Sequence, residues 1–99
     1  MKEYTALLLD QLDNVATLLS DVPAGNSVNI KGKSDAVSSV DTIEISHKIA
    51  IVEIMKGADI IKYGQRIGVA TMDIMKGQWI HLHNMESSYD TEFKKRVSL

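Results

Sequence analysis

Residues 73 to 80 read Asp73-Ile74-Met75-Lys76-Gly77-Gln78-Trp79-Ile80, and the same pattern occurs twice earlier in the chain. The pattern is an acidic residue, a branched aliphatic residue, two variable positions, glycine, two variable positions and another branched aliphatic residue. Its other copies are residues 21–28 and 53–60. A glycine between branched aliphatic residues predicts a strand–turn–strand unit whose aliphatic side chains face a core. Because the last two copies begin 20 residues apart, we expect them to pack side by side in one small domain.

The composition is that of a small globular protein. The chain has 99 residues, of which 44% are hydrophobic and 24% are charged, and this length supports one hydrophobic core. The formal net charge of −2 gives no reason to expect nucleic acid or an acidic membrane surface as a partner. No run of residues approaches the ~20 apolar positions of a membrane span. The absence of cysteine and of a signal-peptide pattern favours a cytoplasmic protein.

The remaining segments predict further strands and turns. The short apolar run at residues 15–19 is typical of a buried strand, although a helical turn over residues 11–19 fits the same pattern. Residues 31–41 are polar and predict a loop or an exposed hairpin. Residues 42–47 alternate, which predicts a half-exposed strand, and residues 48–52 predict a more buried one.

These segments together predict a mostly-β fold with two parts. Residues 1–85 form one small domain of short strands and hairpins, and residues 86–99 form a charged tail. The tail contains little with which to build a core, so we expect it to be mobile or to become a helix against a partner.

The first candidate functional residues directly follow the last octet. In a strand, His81 and His83 project from one face together with Trp79, about 7 Å apart at ~3.3 Å per residue. Two such imidazoles can share a metal ion or hold one anionic ligand, and Asn84 can donate to a carboxylate or fix an imidazole tautomer. The same spacing also fits two solvated strand residues. His47 is the third imidazole of the chain and completes the set if the repeats pack as expected.

A second polar cluster is formed by Lys62, Tyr63 and Gly64. Backbone N–H groups near a glycine can approach a carboxylate or phosphate closely, which makes an anion site one interpretation. The other interpretation is a plain turn with exposed basic side chains. Lys48, beside His47, is open to the same two interpretations.

Several ordered motifs resemble the amino-terminal domain of the altronate/galactarate dehydratase family. These motifs are Asp13-Asn14-Val15-Ala16, Val22-Pro23-Ala24-Gly25, His47-Lys48-Ile49-Ala50, Ile61-Lys62-Tyr63-Gly64, Ile67-Gly68-Val69-Ala70-Thr71 and His81-Leu82-His83-Asn84. The resemblance covers residues 5 to 85 and implies an SAF-type domain with a β-clip fold. The family usually has proline and glycine just before the His-Lys pair, whereas this chain has Ile43-Glu44-Ile45-Ser46. A remodelled turn is therefore expected there.

The resemblance also implies a function. In that family the SAF-like domain accompanies a larger catalytic portion that removes water from altronate or galactarate with a divalent metal, iron or manganese. The chain is then expected to be a free-standing small subunit of a lyase, inactive alone, with a large dehydratase subunit and a small sugar acid as partners. The sequence leaves open whether the chain also forms a homo-oligomer.

The expected metal or substrate ligands are His81, His83 and Asn84, with the metal on the two histidines. His47, Lys48, Lys62 and Tyr63 are secondary candidates. Two alternatives remain: the small subunit of a sulfolactate sulfo-lyase, which eliminates sulfite, and a stand-alone module that binds a sugar acid or another anion without catalysis.

Overall fold

The strands of this protein are short, and each is bounded by a turn. The structure is a computed structural model that describes residues 3–87, and within this range it contains nine strands and no helix. The strands are β1 (Tyr4–Leu7), β2 (Val15–Leu18), β3 (Ser27–Lys31), β4 (Ala36–Ser38), β5 (Lys48–Ala50), β6 (Asp59–Lys62), β7 (Gln65–Ala70), β8 (Trp79–Ile80) and β9 (Met85–Ser87). The predicted mostly-β fold is confirmed, and residues 15–18 are a strand rather than a helical turn.

The strands form two sheets. The larger sheet has the order β4-β3-β1-β2-β5-β8, and the smaller one has the order β6-β7-β9. Strands β1 and β3 run parallel, while every other neighbouring pair described is antiparallel. Strands β3 and β4 form a hairpin, which confirms the hairpin interpretation of residues 31–41. Within the described range no helix is long and apolar enough to cross a bilayer.

The octet occurs four times, which is once more than the sequence pattern indicates. Residues 42–49 adopt the same bridge, turn and strand sequence as residues 21–28, 53–60 and 73–80. The half-exposed strand predicted for residues 42–47 is therefore wrong. The turn is not remodelled either, because Ser46 takes φ 72° at the position where the other octets have glycine at φ 85° to 95°. In this octet Ser46 takes the place of the glycine and Thr42 takes the place of the acidic residue. The sequence pattern therefore does not identify this copy.

The four octets pair two by two through one repeated set of contacts. Isolated antiparallel bridges join Val22 to Ile43 and Ile54 to Ile74, so the predicted side-by-side packing of the last two octets is confirmed. In each pair the N–H at the fifth octet position donates to a carbonyl three residues before the other octet. These four bonds are Gly25 to Ser39, Ser46 to Leu18, Gly57 to Ala70 and Gly77 to Ala50, at 2.8 to 2.9 Å.

In two of the octets the acidic first residue accepts a hydrogen bond from the turn of the paired octet. Asp21 Oδ1 accepts the N–H of Ile45, and Asp73 Oδ1 accepts the N–H of Lys56, both at 2.8 Å. Thr42 Oγ1 accepts the N–H of Ala24 in the same way at 3.1 Å. A side-chain oxygen at this position satisfies a turn N–H that no strand partner reaches.

The aliphatic residues at the second and eighth octet positions build the core, as predicted. All of them are at most 2% exposed: Val22, Val28, Ile43, Ile49, Ile54, Ile60, Ile74 and Ile80. They are divided between two hydrophobic clusters, because the larger sheet packs on both faces. One face carries Ala16 and Ile49, whereas the other carries Val15 and Ala50, which pack against residues of the smaller sheet.

The predicted boundary between the domain and its tail falls inside a strand. Strand β9 runs through Ser87 and pairs with β7, so residues 86 and 87 belong to the smaller sheet. The rest of the predicted tail, residues 88–99, lies outside the described residues.

Candidate functional site

A cluster of four rings lies where β8 ends, and it contains all three histidines of the chain. The indole of Trp79 stacks on His81 with ring centroids 5.3 Å apart and planes 9° apart. The ring of His83 lies 4.9 Å from the indole, and the ring of His47 lies 5.6 Å from it. The rings of His47 and His81 are 5.3 Å apart. The structure thus places His47 against His81 and Trp79, which brings all three histidines into one ring cluster around the indole.

Strand pairing explains how His47 reaches this cluster. Strands β5 and β8 are antiparallel neighbours, with Ile49 opposite Trp79. Ile49 and Trp79 therefore project toward the same face, and the rings of His47 and His81, just outside the two strands, lie against the Trp79 indole there. Trp79 is partly buried against the hydrophobic cluster of this face and anchors the group.

One hydrogen bond determines which nitrogen of His47 is available to a ligand. The Trp79 Nε1–H donates to His47 Nδ1 at 3.1 Å. An indole N–H can only donate, so Nδ1 is the acceptor and neutral His47 carries its proton on Nε2. His47 therefore presents an N–H donor, suited to a carboxylate or hydroxyl oxygen, rather than a free lone pair.

The predicted strand through His81 and His83 ends earlier than expected. Strand β8 stops at Ile80, and residues 81–84 form a turn in which the Asn84 N–H donates to the His81 carbonyl at 3.1 Å. What His81 and His83 share is a ring contact with Trp79, not an alternation along a strand. His81 is partly buried and His83 is exposed.

Asn84 holds this turn together from inside. It is 3% exposed, its Oδ1 accepts the His81 N–H at 3.0 Å, and its Nδ2 donates to the Trp79 carbonyl at 2.8 Å. Its backbone carbonyl also accepts the Thr71 N–H. The amide thus fixes the backbone that carries His81, and its role as a ligand stays a prediction.

The secondary candidates Lys48, Lys62 and Tyr63 lie at the junction of the two sheets. Lys48 is half-buried on β5, and burial followed by the positive charge of Lys62 lowers the pKa of its ammonium below the ordinary 10.5. Lys62 Nζ lies 5.3 Å from the centroid of the Tyr63 ring, whose side chain is exposed. Lys48 and His47 are consecutive in the strand direction, so their side chains point to opposite faces of the larger sheet.

The backbone of the Lys62–Gly64 hairpin already holds a carboxylate, and it belongs to the chain itself. Asp13, which is 6% exposed, accepts the Tyr63 N–H at 3.1 Å and the Gly64 N–H at 2.8 Å. Both loop residues have positive φ, 57° and 71°, as a type I′ hairpin requires. Because Asp13 already accepts these N–H groups, they are not available to an external anion, and the segment is a plain turn.

Asn14 fixes the same hairpin from the other side, which sequence reasoning did not foresee. Its Oδ1 accepts the Ile61 N–H, and its Nδ2 donates to the Asp59 carbonyl, each at 2.8 Å. Asp13 and Asn14 belong to a motif of the family resemblance, and that was the available signal for both. Their pairing with a segment nearly fifty residues away could not be read from spacing.

The described donors do not by themselves fit a divalent metal. Within residues 3–87 no group of three or more histidine, cysteine, aspartate or glutamate side chains is arranged to hold a metal ion. His47 uses Nδ1 to accept the indole proton and has its own proton on Nε2. That leaves His81 and His83, fewer than the three protein ligands of a typical catalytic zinc-type site.

Comparisons with known proteins agree with the motifs. Altronate dehydratase of Escherichia coli (strain K12) is 39% identical over 77 residues, which is 78% of this chain and 15% of that protein. Altronate dehydratase of Bacillus subtilis (strain 168) is 40% identical over 88 residues, 89% of this chain and 17% of that protein. The alpha subunit of (2R)-sulfolactate sulfo-lyase of Chromohalobacter salexigens is 36% identical over 47 residues, 48% of this chain and 50% of that subunit.

The chain therefore spans less than a fifth of the altronate dehydratases that it matches. The family model for the altronate/galactarate dehydratase SAF domain matches residues 4–88, which includes both sheets and the ring cluster. The chain belongs to the altronate/galactarate dehydratase SAF-domain family.

Proposed function

We propose that this chain acts as the small subunit of a sugar-acid dehydratase of the altronate or galactarate type and is inactive alone. The observation that carries the proposal is the match of residues 4–88 to the SAF domain of these enzymes, together with the small share of each altronate dehydratase that the chain covers. The remainder of such an enzyme would then be supplied by a large catalytic subunit. One relative is itself described as a subunit, which supports this arrangement.

In this proposal the ring cluster faces the substrate at the junction with the large subunit. Removal of water from a hydroxy acid needs a base for the proton beside the carboxylate and a group that assists the leaving hydroxyl. His47 offers an Nε2–H donor, and His81 and His83 each offer an imidazole against the Trp79 indole. Trp79 and Asn84 act as positioning residues because they hold the imidazoles rather than reach the ligand.

The divalent metal expected from the family resemblance, iron or manganese, would take its ligands chiefly from the large subunit. His81 and His83 would lie at the edge of that site. This division follows from the donor set, since the described residues of this chain lack a third ligand beside these two histidines.

The proposal is tested by isolating the chain from its native host with a carboxy-terminal affinity tag. We expect a dehydratase-type polypeptide to co-purify and the complex to dehydrate altronate or galactarate, while the chain alone shows no turnover. In the reconstituted complex, His81→Ala and His83→Ala should each reduce turnover at least about a hundredfold, the usual size of a lost acid–base group. Asn29→Ala, on an exposed position of β3 at the far side of the sheet, should leave turnover unchanged.

Near-normal turnover of both histidine variants would remove the ring cluster from the site. A complex that eliminates sulfite from sulfolactate and dehydrates neither sugar acid would favour the second candidate function, a sulfo-lyase subunit, which the similarity to the alpha subunit supports. An isolated chain that binds a sugar acid with high affinity and has no partner would favour a stand-alone binding module.

A further inference from the structure

Both backbone polar groups of Trp79 point away from its strand partner. In the antiparallel pair of β5 and β8 the Gln78 carbonyl accepts the Ala50 N–H at 3.0 Å, so the next residue, Trp79, directs its N–H and carbonyl to the other side. Side chains satisfy both groups. Asn84 Nδ2 donates to the Trp79 carbonyl at 2.8 Å, and Asp41 Oδ2 accepts the Trp79 N–H at 2.9 Å. Two side chains therefore hold the backbone of Trp79, and Asp41 comes from a distant part of the chain.

The segment that carries Asp41 packs closely on the last octet. The Val40 N–H donates to the Gly77 carbonyl at 2.8 Å. The Gly77 backbone approaches the Ser38 carbonyl so closely that a Cβ added at Gly77 would overlap it. Residues 38–41 therefore lie along the edge of β8 that has no strand neighbour, and the Asp41 carboxylate takes the place that a strand carbonyl would occupy there.

The Asp41 contact departs from the pattern that the octets repeat. It joins an octet of one pair, residues 42–49, to an octet of the other pair, residues 73–80. No acidic residue directly precedes any of the other three octets, where the corresponding residues are Ser20, Val52 and Met72. A departure from a repeated pattern is expected where a site, rather than the fold alone, determines the residue.

We propose that Asp41 is a positioning residue of the ring cluster. By accepting the Trp79 N–H it fixes the backbone from which the indole reaches His47 Nδ1, and the indole bond places the proton of neutral His47 on Nε2. The same indole stacks on His81, so a shift of Trp79 displaces two imidazoles together. The expected loss of turnover rests on the proposed function, whereas the effect on the tautomer of His47 rests on the hydrogen bonds alone.

The role of Asp41 is tested first on the full chain by NMR at pH ~8, where neutral imidazoles predominate. We expect the ring nitrogens of His47 to give the resonances of an Nε2–H tautomer. In Asp41→Ala these resonances should move toward those of a mixture of tautomers. The Trp79 indole N–H should then exchange with solvent about fivefold faster, as the loss of one hydrogen bond allows. Asp41→Asn keeps an acceptor oxygen and should restore both signals.

Asp73→Ala is the matched control. Asp73 Oδ1 also accepts one backbone N–H, that of Lys56 at 2.8 Å, and this bond involves no residue of the ring cluster. We expect the control to lower the melting temperature about as much as Asp41→Ala and to leave the His47 resonances unchanged. In the reconstituted complex Asp41→Ala should reduce kcat at least about tenfold with KM changed less than about twofold, as misplacement of a reacting group does. Asp73→Ala should leave both constants unchanged.

Four results would overturn the proposal. They are an unchanged His47 tautomer in Asp41→Ala, an equal change in Asp73→Ala, failure of Asp41→Asn to restore the signals, and failure of Asp41→Ala to fold, which would make Asp41 a residue of the fold alone. A changed tautomer with normal turnover would uphold the positioning role and count against the proposed function instead, so the two failures are distinct.

Discussion

Gly57 and Gly77 occupy the same position in two paired octets, yet their surroundings differ. Their φ angles are similar, 87° and 95°. A Cβ added to Gly57 would have no heavy atom within 4 Å, whereas one added to Gly77 would overlap the carbonyl oxygen of Ser38. Replacing each glycine by alanine therefore separates the cost of the backbone conformation from the cost of the overlap.

The two substitutions should differ by a measurable free energy of unfolding. Positive φ costs an L-residue ~1–2 kcal/mol, and alanine returns ~0.4–1 kcal/mol by restricting the unfolded chain, so Gly57→Ala should lose about 1 kcal/mol. Gly77→Ala carries the same cost and also pushes the turn away from Ser38, which adds ~1–3 kcal/mol for overpacking. The shift also strains the hydrogen bond of 2.8 Å from the Val40 N–H to the Gly77 carbonyl. We expect a total loss of ~2–4 kcal/mol.

Urea unfolding followed by the fluorescence of Trp79, the one tryptophan of the chain, measures both losses. In a domain of this size ~1 kcal/mol corresponds to ~4–8 °C in melting temperature, so thermal unfolding gives an independent value. Gly25→Ala is a second control, because Gly25 has φ 85° and open space around its Cβ position. Equal losses for Gly57→Ala and Gly77→Ala would refute the packing described between the last octet and Ser38.

Three further substitutions test other parts of the structure. Ser46→Gly should raise the free energy of unfolding by about 0.5 kcal/mol, since relief of positive φ exceeds the added entropy of the unfolded chain, and a loss in urea unfolding would contradict the fourth octet. Asp13→Asn should cost about 2 kcal/mol by removing charge-assisted bonds to the β6–β7 hairpin, whereas the exposed Asp35→Asn should cost little. The pKa of Lys48 is lowered by burial and by a neighbouring lysine, so between that pKa and 10.5 the unfolded chain binds more protons and stability rises with pH. Lys48→Met should remove this rise while Lys76→Met keeps it, and an unchanged profile in Lys48→Met would show that another group is responsible.

The sequence pattern predicted the structure correctly for the octets that contain both buried aliphatic residues and a glycine. The octets at residues 21–28, 53–60 and 73–80 place two aliphatic side chains in the core and a glycine at positive φ, so composition and conformation agree. The octet at residues 42–49 meets the same structural demands with Ser46 in place of glycine. Its conformation is imposed by tertiary bonds, among them the Ser46 N–H to the Leu18 carbonyl, and local propensity cannot reveal those.

The candidate site was predictable in membership but not in geometry. The short motif His81-Leu82-His83 supplies two rings of the cluster, and its role as a binding site stays a prediction. The strand assumed for this motif ends at Ile80, where the Asn84 side chain takes the place of a strand partner at His81. Spacing along one segment gives the direction of neighbouring side chains only if the segment continues as a strand. The buried amide of Asn84, four residues beyond the end of β8, was enough to change that.

The hydrogen bond from Trp79 to His47, which determines the nitrogen that His47 presents, joins residues 32 positions apart. His47 and Trp79 meet because β5 pairs with β8, and each of these strands begins at the seventh position of its octet. The bond from the indole places the proton of neutral His47 on Nε2, so the strand pairing selects a tautomer as well as a fold. The same pairing places Lys48 on the opposite face beside Thr17. One pair of strands therefore carries the ring cluster on one face and the half-buried Lys48 on the other, and a shift of the β5 register by one residue would exchange the two faces.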